Sequence, residues 1–144
     1  YHIDILCAHF VLNPDKFDVI VASNLFGDIL SDLGPACTGT IGIAPSGNIN
    51  PENNHPSLFE PVHGSAPDIA GQGKANPLAM IQSYAMMLRY SFDMSEDADL
   101  VERAVRNVLD SGLRTSDIMQ TDMTAVSCEQ MGEAVVMELD KLAA

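Results

Sequence analysis

The spacing of apolar residues near the start of the chain predicts a helix followed by a strand. Ile3, Leu6 and Phe10 recur at helical spacing, and no cap residue introduces them. Residues 17–23 are nearly all apolar and rich in β-branched side chains, as in a strand buried on both faces of a parallel sheet. Because the helical pattern is already under way at residue 1, we expect the chain to be the carboxyl-terminal part of something larger.

The middle of the chain carries a weaker alternation of elements. A short helix is expected over residues 27–33, ending at Gly34-Pro35. Short strands are expected over residues 40–44 and 57–62, and residues 45–48 have the composition of a turn. These elements predict an α/β fold in which the strands are few for the number of helices.

The last third of the chain predicts three helices. Asn76 is a good N-cap, with Pro77 at the first position of a helix over 77–90 that is apolar on almost every side. An amphipathic helix follows and ends at Gly112. Ser127 and Gln130 have the spacing of a capping box at the start of the final helix.

The segment Glu60–Asn76 combines an accessible backbone with one well-placed carboxylate. Gly64, Ser65 and Ala66 leave the main chain bare enough for a ligand to lie against it. Asp68 then supplies an acceptor for a pair of ribose hydroxyls. This combination predicts a loop that wraps the adenosine end of a dinucleotide.

An ordinary surface loop is the alternative interpretation of the same segment, because glycine, proline and aspartate are typical of turns. The segment also lacks the Rossmann fingerprint, since Gly71 and Gly73 are not followed by a third glycine and no strand runs straight into them. A nucleotide site here would therefore have another design.

Two aspartates on the helix over 27–33 are candidate metal ligands. Asp28 and Asp32 are four residues apart, so their carboxylates share one helix face. Paired carboxylates suit a hard cation such as Mg²⁺ or Mn²⁺, with Asp4 as a candidate third ligand. A solvated acidic face, or Asp28 interacting with a helix N-terminus, is the alternative.

Composition limits the classes of partner. The 144 residues are 47% hydrophobic, which is enough for one ordinary domain with a core. Twenty acidic residues against seven basic ones give a net charge of −13, which argues against nucleic acid and anionic membranes and favours metal cations. The three cysteines have neither CxxC nor metal-site spacing, as expected of buried thiols in a reducing cytoplasm.

Taken together, these motifs resemble the β-decarboxylating dehydrogenases of the isocitrate/isopropylmalate dehydrogenase family. The resemblance covers nearly all of the chain and rests on SNLFGDILSD at 23–32, EPVHGSAPDIAGQGKANP at 60–77 and GLRT at 112–115. SNLFGDILSDLGPA and IAPSGNINPE are most similar to the tartrate dehydrogenase/D-malate dehydrogenase branch. The implied fold is an incomplete portion of the isopropylmalate dehydrogenase-like α/β fold, a mixed sheet flanked by helices. Residues 1–23 would belong to the dimer-forming domain and 24–144 to the cofactor-binding domain.

The resemblance implies a metal site shared between two subunits. Asp28 and Asp32 would ligate Mg²⁺ or Mn²⁺ in one active site. Asp4, which lies 24 residues before Asp28 as the family pattern requires, would reach the metal and the substrate in the partner's site. The expected assembly is a homodimer.

The resemblance also implies that the loop binds NAD. His63, Ile69 and Asn76 would surround the adenine, and Glu60 would lie nearer the nicotinamide. Asp68 would bind the adenosine ribose, and because a carboxylate repels a 2′-phosphate, NAD is expected over NADP. The complete set of predicted cofactor residues is Glu60, His63, Gly64, Ser65, Ala66, Asp68, Ile69 and Asn76.

The implied reaction is oxidation and decarboxylation of a small 2-hydroxy dicarboxylic acid, such as D-malate or tartrate. The family's substrate arginines and its catalytic tyrosine and lysine belong to motifs that this chain lacks, so no catalytic residue is assigned and the chain alone is expected to be inactive. A 3-isopropylmalate dehydrogenase fragment and a non-catalytic nucleotide- and metal-binding regulatory subunit remain alternatives. Uncovered apolar helix faces and a strand edge also predict that the chain associates with itself or aggregates.

Overall fold

The computed structural model describes residues 1–144, which form two compact units. The first unit is Tyr1–Ile41 and the second is Gly42–Ala144. The predicted division into dimer-forming and cofactor-binding domains at residue 23 concerns a larger assembly and stays a prediction. No helix of the chain is both long enough and apolar enough to cross a membrane.

The first unit consists of two helices, α1 over Ile3–Leu12 and α2 over Asn24–Thr38. Helix α1 agrees with the opening helical pattern. Helix α2 is twice as long as predicted, because it continues through Pro35, with the loss of one backbone donor, and ends at Gly39, where φ is 144°. The expected stop at Gly34-Pro35 was therefore wrong.

Residues 17–23 do not form the predicted buried strand. They have no regular structure, and Val19 and Val21 are 86% and 96% exposed. A strand needs a neighbour that pairs with its backbone groups, and no strand of the chain lies alongside this segment. The apolar, β-branched composition favours a strand, but no neighbouring strand is present to pair with it.

The second unit contains two small sheets. Strand β1, Pro45–Asn48, pairs antiparallel with β2, Leu58–Pro61. Strand β3, Leu113–Arg114, pairs parallel with β4, Thr124–Ala125. The strand predicted over 57–62 is confirmed, whereas the predicted strand over 40–44 and turn over 45–48 are wrong: a 3₁₀ turn precedes β1, and the supposed turn is β1 itself.

Glycine in β1 explains the error over 45–48. A Cβ built at Gly47 would lie 2.9 Å from the ring of Phe59 on β2, so only glycine lets the two strands approach at this point. Composition alone made the same residue look like part of a turn.

Three helices build the core of the second unit: α3 over Leu78–Ser91, α4 over Ser95–Asp110 and α5 over Cys128–Ala143. Leu78 from α3, Val105 from α4 and Met131 from α5 belong to one buried cluster. The capping box predicted at the start of α5 is confirmed. Helix α3 is not buried on every side, because Met80 and Tyr84 are about half exposed.

Candidate functional site

The acidic pair of α2 is exposed to solvent. Asp28 and Asp32 lie one turn apart on a continuous helix, and neither carboxylate accepts a hydrogen bond or forms an ion pair in the chain. The hydroxyl of Ser31 donates to the backbone oxygen of Asp28 at 2.9 Å and leaves its carboxylate unengaged. Two free, hard oxygen donors on one helix face suit Mg²⁺ or Mn²⁺.

Asp4 occupies a different place in the first unit. It lies in the first turn of α1, where its Oδ1 accepts from the backbone N–H of Ile5 at 2.7 Å. It also lines an open cavity of about 670 Å³ together with His2 and Ser23, whereas Asp28 and Asp32 do not line that cavity. No three His, Cys, Asp or Glu side chains of the chain come together to hold a metal ion. The chain thus pairs Asp28 with Asp32 but does not bring Asp4 to them.

Residues 60–76, which the sequence predicts to bind NAD, form the segment that we call the cofactor loop after this prediction. It starts at the end of β2 and turns at His63, whose Nδ1–H donates to the oxygen of Gly64 at 2.9 Å. Ala66 then adopts the left-handed conformation, with φ of 41°, and introduces a 3₁₀ turn over Pro67–Ile69. A non-glycine residue in this conformation is strained; Ala66 is exposed, and its backbone oxygen accepts from the N–H of Ile69 at 3.1 Å.

The reversal at Ala66 leaves Asp68 exposed, with an unengaged carboxylate. The Nε2 of Gln72 donates to the backbone oxygen of Asp68 at 2.8 Å, which stabilises the turn without using the carboxylate. A Cβ built at Gly64 would meet no atom within 4 Å, so the chain itself does not require glycine there. An open backbone in the same loop as a free carboxylate fits the predicted contact with the adenosine end of NAD.

Other predicted cofactor residues differ in how accessible they are. Glu60 on β2 and Ser65 are exposed, whereas Ile69 is half-buried within the 3₁₀ turn. Asn76 is only 9% exposed, and its Oδ1 accepts from the N–H of Leu78 at 3.0 Å. That hydrogen bond satisfies the first N–H of α3, but the helix begins at Leu78 and Pro77 is the residue before it, so the predicted N-cap at Asn76 was wrong by one residue.

Sequence reasoning missed Asp117, which contacts the end of the loop, and the hydrogen bond that Thr115 donates to it. Asp117 accepts from the Nδ2 of Asn76 at 3.0 Å through one oxygen and from the hydroxyl of Thr115 at 2.6 Å through the other. Asp117 is 41 residues from Asn76, and no local pattern signals a pairing at that distance. The side chain of Arg114 donates through Nη1 to the backbone oxygens of Leu109 and Leu113.

Known proteins match the chain closely. A sequence profile of the isocitrate/isopropylmalate dehydrogenase family matches residues 1–135. A 3-isopropylmalate dehydrogenase from Gluconobacter oxydans is 57% identical over 141 residues, which are 95% of this chain and 38% of that protein. A tartrate dehydrogenase/decarboxylase from Pseudomonas putida is also 57% identical, over 146 residues, which are 98% of this chain and 39% of that protein. The chain therefore spans well under half the length of these relatives.

A solved structure matches the fold as well as the sequence. The crystal structure of isocitrate dehydrogenase from Methylococcus capsulatus superposes with a TM-score of 0.86 at 43% identity, over 95% of this chain and 39% of that one. The predicted α/β class, as a portion of this family's fold, is confirmed. With a family profile over nearly the whole chain and relatives at more than half identity, the chain belongs to the isocitrate/isopropylmalate dehydrogenase family.

Proposed function

We propose that this chain supplies the NAD-binding loop and metal-binding aspartates of an NAD-dependent, divalent-metal-dependent decarboxylating dehydrogenase. The observation that carries the proposal is the exposed, unengaged carboxylate of Asp68 beside the open backbone at Gly64. Family membership supplies the reaction class, a hydride transfer from a 2-hydroxy acid followed by loss of carbon dioxide. A cytoplasmic location belongs to the same proposal.

The cofactor loop would hold NAD through its backbone and one charge. Asp68 would accept hydrogen bonds from both hydroxyls of the adenosine ribose and would repel a 2′-phosphate, so that NAD is preferred over NADP. Gly64, Ser65 and Ala66 would present main-chain groups, and no side chain larger than a methyl or hydroxymethyl group blocks them. Bound NAD would supply the hydride acceptor.

The metal site is proposed to be completed across a homodimer. Asp28 and Asp32 would bind Mg²⁺ or Mn²⁺ from one helix face, and the cation would supply Lewis-acid polarisation of the substrate's hydroxyl and carboxylate oxygens. Within one chain Asp4 does not join them, so a three-aspartate site requires Asp4 of a second copy. Exposed apolar side chains of α1 and α2, such as Ile5, Leu25 and Ile29, support association through the first unit.

The substrate is proposed to be a small 2-hydroxy dicarboxylic acid, with D-malate or tartrate favoured by the motifs quoted above. Relatives named for 3-isopropylmalate and for tartrate are equally identical to this chain, at 57%, so 3-isopropylmalate is the alternative. The chain alone would not clamp such a dianion, because the family's substrate arginines lie in motifs that this chain lacks. Of the arginines present, Arg89 is engaged by two acidic side chains and Arg114 holds the end of α4.

The first test measures NAD binding to the 144-residue chain by titration. Asp68→Asn removes the charge but keeps the shape, and we expect NAD affinity to fall about tenfold because a charged hydrogen-bond acceptor is lost. The preference for NAD over NADP should shrink in the same variant. Equal NAD affinity in the unmodified chain and in Asp68→Asn would contradict the proposed role of this carboxylate.

Two glycine-to-alanine substitutions test whether NAD lies against the backbone of the loop. Gly64→Ala and Gly132→Ala each add one methyl group where nothing lies within 4 Å, and neither position has positive φ. We expect Gly64→Ala to weaken NAD binding without loss of stability. Gly132→Ala on α5 should leave binding unchanged and stabilise the helix by about 0.5–1 kcal/mol. Equal NAD affinity in both variants would mean that no ligand approaches Gly64.

Metal binding and turnover separate the enzyme from the regulatory alternative. Mn²⁺ titration should weaken in Asp28→Asn and Asp32→Asn but not in Asp15→Asn, an exposed control in the same unit. With D-malate, tartrate and 3-isopropylmalate supplied in turn with NAD and Mn²⁺, we expect no NADH from the chain alone. Turnover by the chain would show that its own residues include the catalytic acid and base.

A further inference from the structure

The carboxyl-terminal end of the cofactor loop is held from two distant parts of the second unit. The backbone N–H of Cys128, at the start of α5, donates to the oxygen of Gly73 at 2.8 Å. Three residues later the side chain of Asn76 donates to Asp117 at 3.0 Å. The first contact uses only backbone atoms, so the second is the one that a side-chain substitution can remove.

The amide of Asn76 is fixed in one orientation by its two hydrogen bonds. Its Oδ1 accepts from the N–H of Leu78, the first residue of α3, so its Nδ2 must face the other way, toward Asp117. Asn76 and Thr115 are both buried, at 9% and 0% exposed. A buried amide that loses its hydrogen-bond partner costs free energy of folding. The hydrogen bond to the carboxylate of Asp117 therefore restricts the position of the Asn76 side chain.

Asp117 is itself held by Thr115, whose hydroxyl donates to its second oxygen at 2.6 Å. Thr115 directly follows β3, and the N–H of Ile118 donates to its backbone oxygen at 3.2 Å. The chain of hydrogen bonds thus runs from a buried residue beside β3, through Asp117, to the last residue of the cofactor loop.

We propose that Asp117 is a positioning residue for the cofactor loop and acts through Asn76. The inference rests on the proposed NAD-binding function and adds to it a residue outside the loop. Removal of the carboxylate should free the end of the loop and so weaken NAD binding without removing any contact to the cofactor.

The test compares NAD affinity with amide hydrogen exchange in the same variants. Asp117→Ala should weaken NAD binding about tenfold and speed exchange at the amides of residues 73–78. Asp110→Ala, which removes an exposed acidic group from the end of α4, controls for the general effect of charge on an anionic ligand and should change neither. The proposal would be overturned if Asp117→Ala bound NAD with an affinity within about twofold of that of the unmodified chain. A twofold change corresponds to a free energy smaller than the contribution of one hydrogen bond.

A double-variant cycle separates action through Asn76 from direct contact or general loosening. Asn76→Ser keeps an oxygen that can accept from the N–H of Leu78 but loses the amide that reaches Asp117. In the Asn76→Ser background, Asp117→Ala should weaken NAD binding no further, because the two substitutions break the same link. An equal loss in both backgrounds would overturn the claim that Asp117 acts through Asn76.

Failure of the proposed function gives a different result. If the unmodified chain binds no NAD, the proposed function falls, while hydrogen exchange still decides the role of Asp117. Faster exchange at residues 73–78 in Asp117→Ala, with protection of α4 and α5 unchanged, would support loop positioning, and unchanged exchange throughout would overturn it.

Discussion

The two units of the chain differ most in what they bury. In the first unit Leu30 is the single buried side chain, whereas the second unit buries residues from all three of its helices in two clusters. The candidate metal ligands lie in the first unit and the cofactor loop lies in the second. The second unit therefore has the core needed to hold a binding loop in place, while the first unit has only a pair of helices with exposed apolar faces.

The two units also differ in positive-φ residues and in charge pairing. All four non-glycine residues with positive φ, and all three salt bridges, belong to the second unit. These positive-φ residues are exposed and lie in turns and loops, and three of them are asparagine or aspartate, which adopt this conformation readily. In the first unit, the aspartates are exposed and depend on other groups to be held in a fixed site.

The largest expected effect comes from truncating one buried side chain in each unit and comparing the loss of unfolding free energy. Met131→Ala should lower the unfolding free energy of the second unit by about 2–5 kcal/mol, because it opens a cavity among α3, α4 and α5. Leu30→Ala should cost about 2 kcal/mol in the first unit, at the low end of this range, since Leu30 borders an open cavity. Urea unfolding followed by residue-resolved hydrogen exchange reports on each unit. Met131→Leu, which nearly preserves volume, is the control, and equal costs would mean that the first unit has a core of its own.

Helix capping gives a second matched pair. Ser127 accepts from the N–H of Gln130, and Gln130 accepts from the N–H of Ser127 in return, whereas Ser23 precedes α2 without any side-chain cap. Ser127→Ala should destabilise the second unit by about 1 kcal/mol, and Ser23→Ala should have almost no effect. Thermal unfolding measures both. Ser127→Thr should retain most of the stability, and a large loss in Ser23→Ala would contradict the assignment of caps.

The strained turn of the cofactor loop gives a smaller effect of opposite sign. Ala66 has φ of 41° and Ala70 has φ of −55°. Ala66→Gly should raise the unfolding free energy by up to about 1 kcal/mol through release of strain, whereas Ala70→Gly should lower it by about 0.4–1 kcal/mol through greater freedom of the unfolded chain. Chemical denaturation of the two variants decides the point, and a loss of stability in both would mean that Ala66 is not strained.

The smallest expected effect is a pH dependence that belongs to the second unit. The Nδ2 of Asn107 and the ammonium of Lys141 lie 2.8 and 3.0 Å from the carboxylate of Glu138 and lower its pKa below the ordinary 4.5. Since the unfolded chain then binds the proton more tightly, the contribution of this carboxylate is complete above pH 4.5 and is lost as pH falls through the lowered pKa.

Thermal unfolding between neutral pH and pH 3 tests this linkage. Glu138→Gln should be slightly less stable than the unmodified chain at neutral pH, and the two should converge as pH falls because the unmodified carboxylate becomes protonated. High salt should reduce the difference, since the Lys141 side chain is 68% exposed. Parallel curves at all pH values would mean that Glu138 contributes nothing through its charge.

Local signals predicted the helices of the second unit well. The capping box at Ser127 needs only residues within a few positions, so the sequence contains the whole interaction. The same holds for the exposed pair on α2, because helical spacing alone places Asp28 and Asp32 on one face. Where partners were distant, the predictions failed: the segment 17–23 has no strand beside it, and Gly47 is required by Phe59 on another strand.

The sequence by itself determined the family, the loop that carries Asp68 and the two-aspartate face of α2, because each is written in contiguous residues or in helical spacing. Tertiary structure alone decided that the end of the loop is held by Asp117, that Asp4 stands apart from Asp28, and that the core belongs to the second unit. Such features depend on contacts between residues that are distant in the sequence, and no local sequence pattern indicates those contacts.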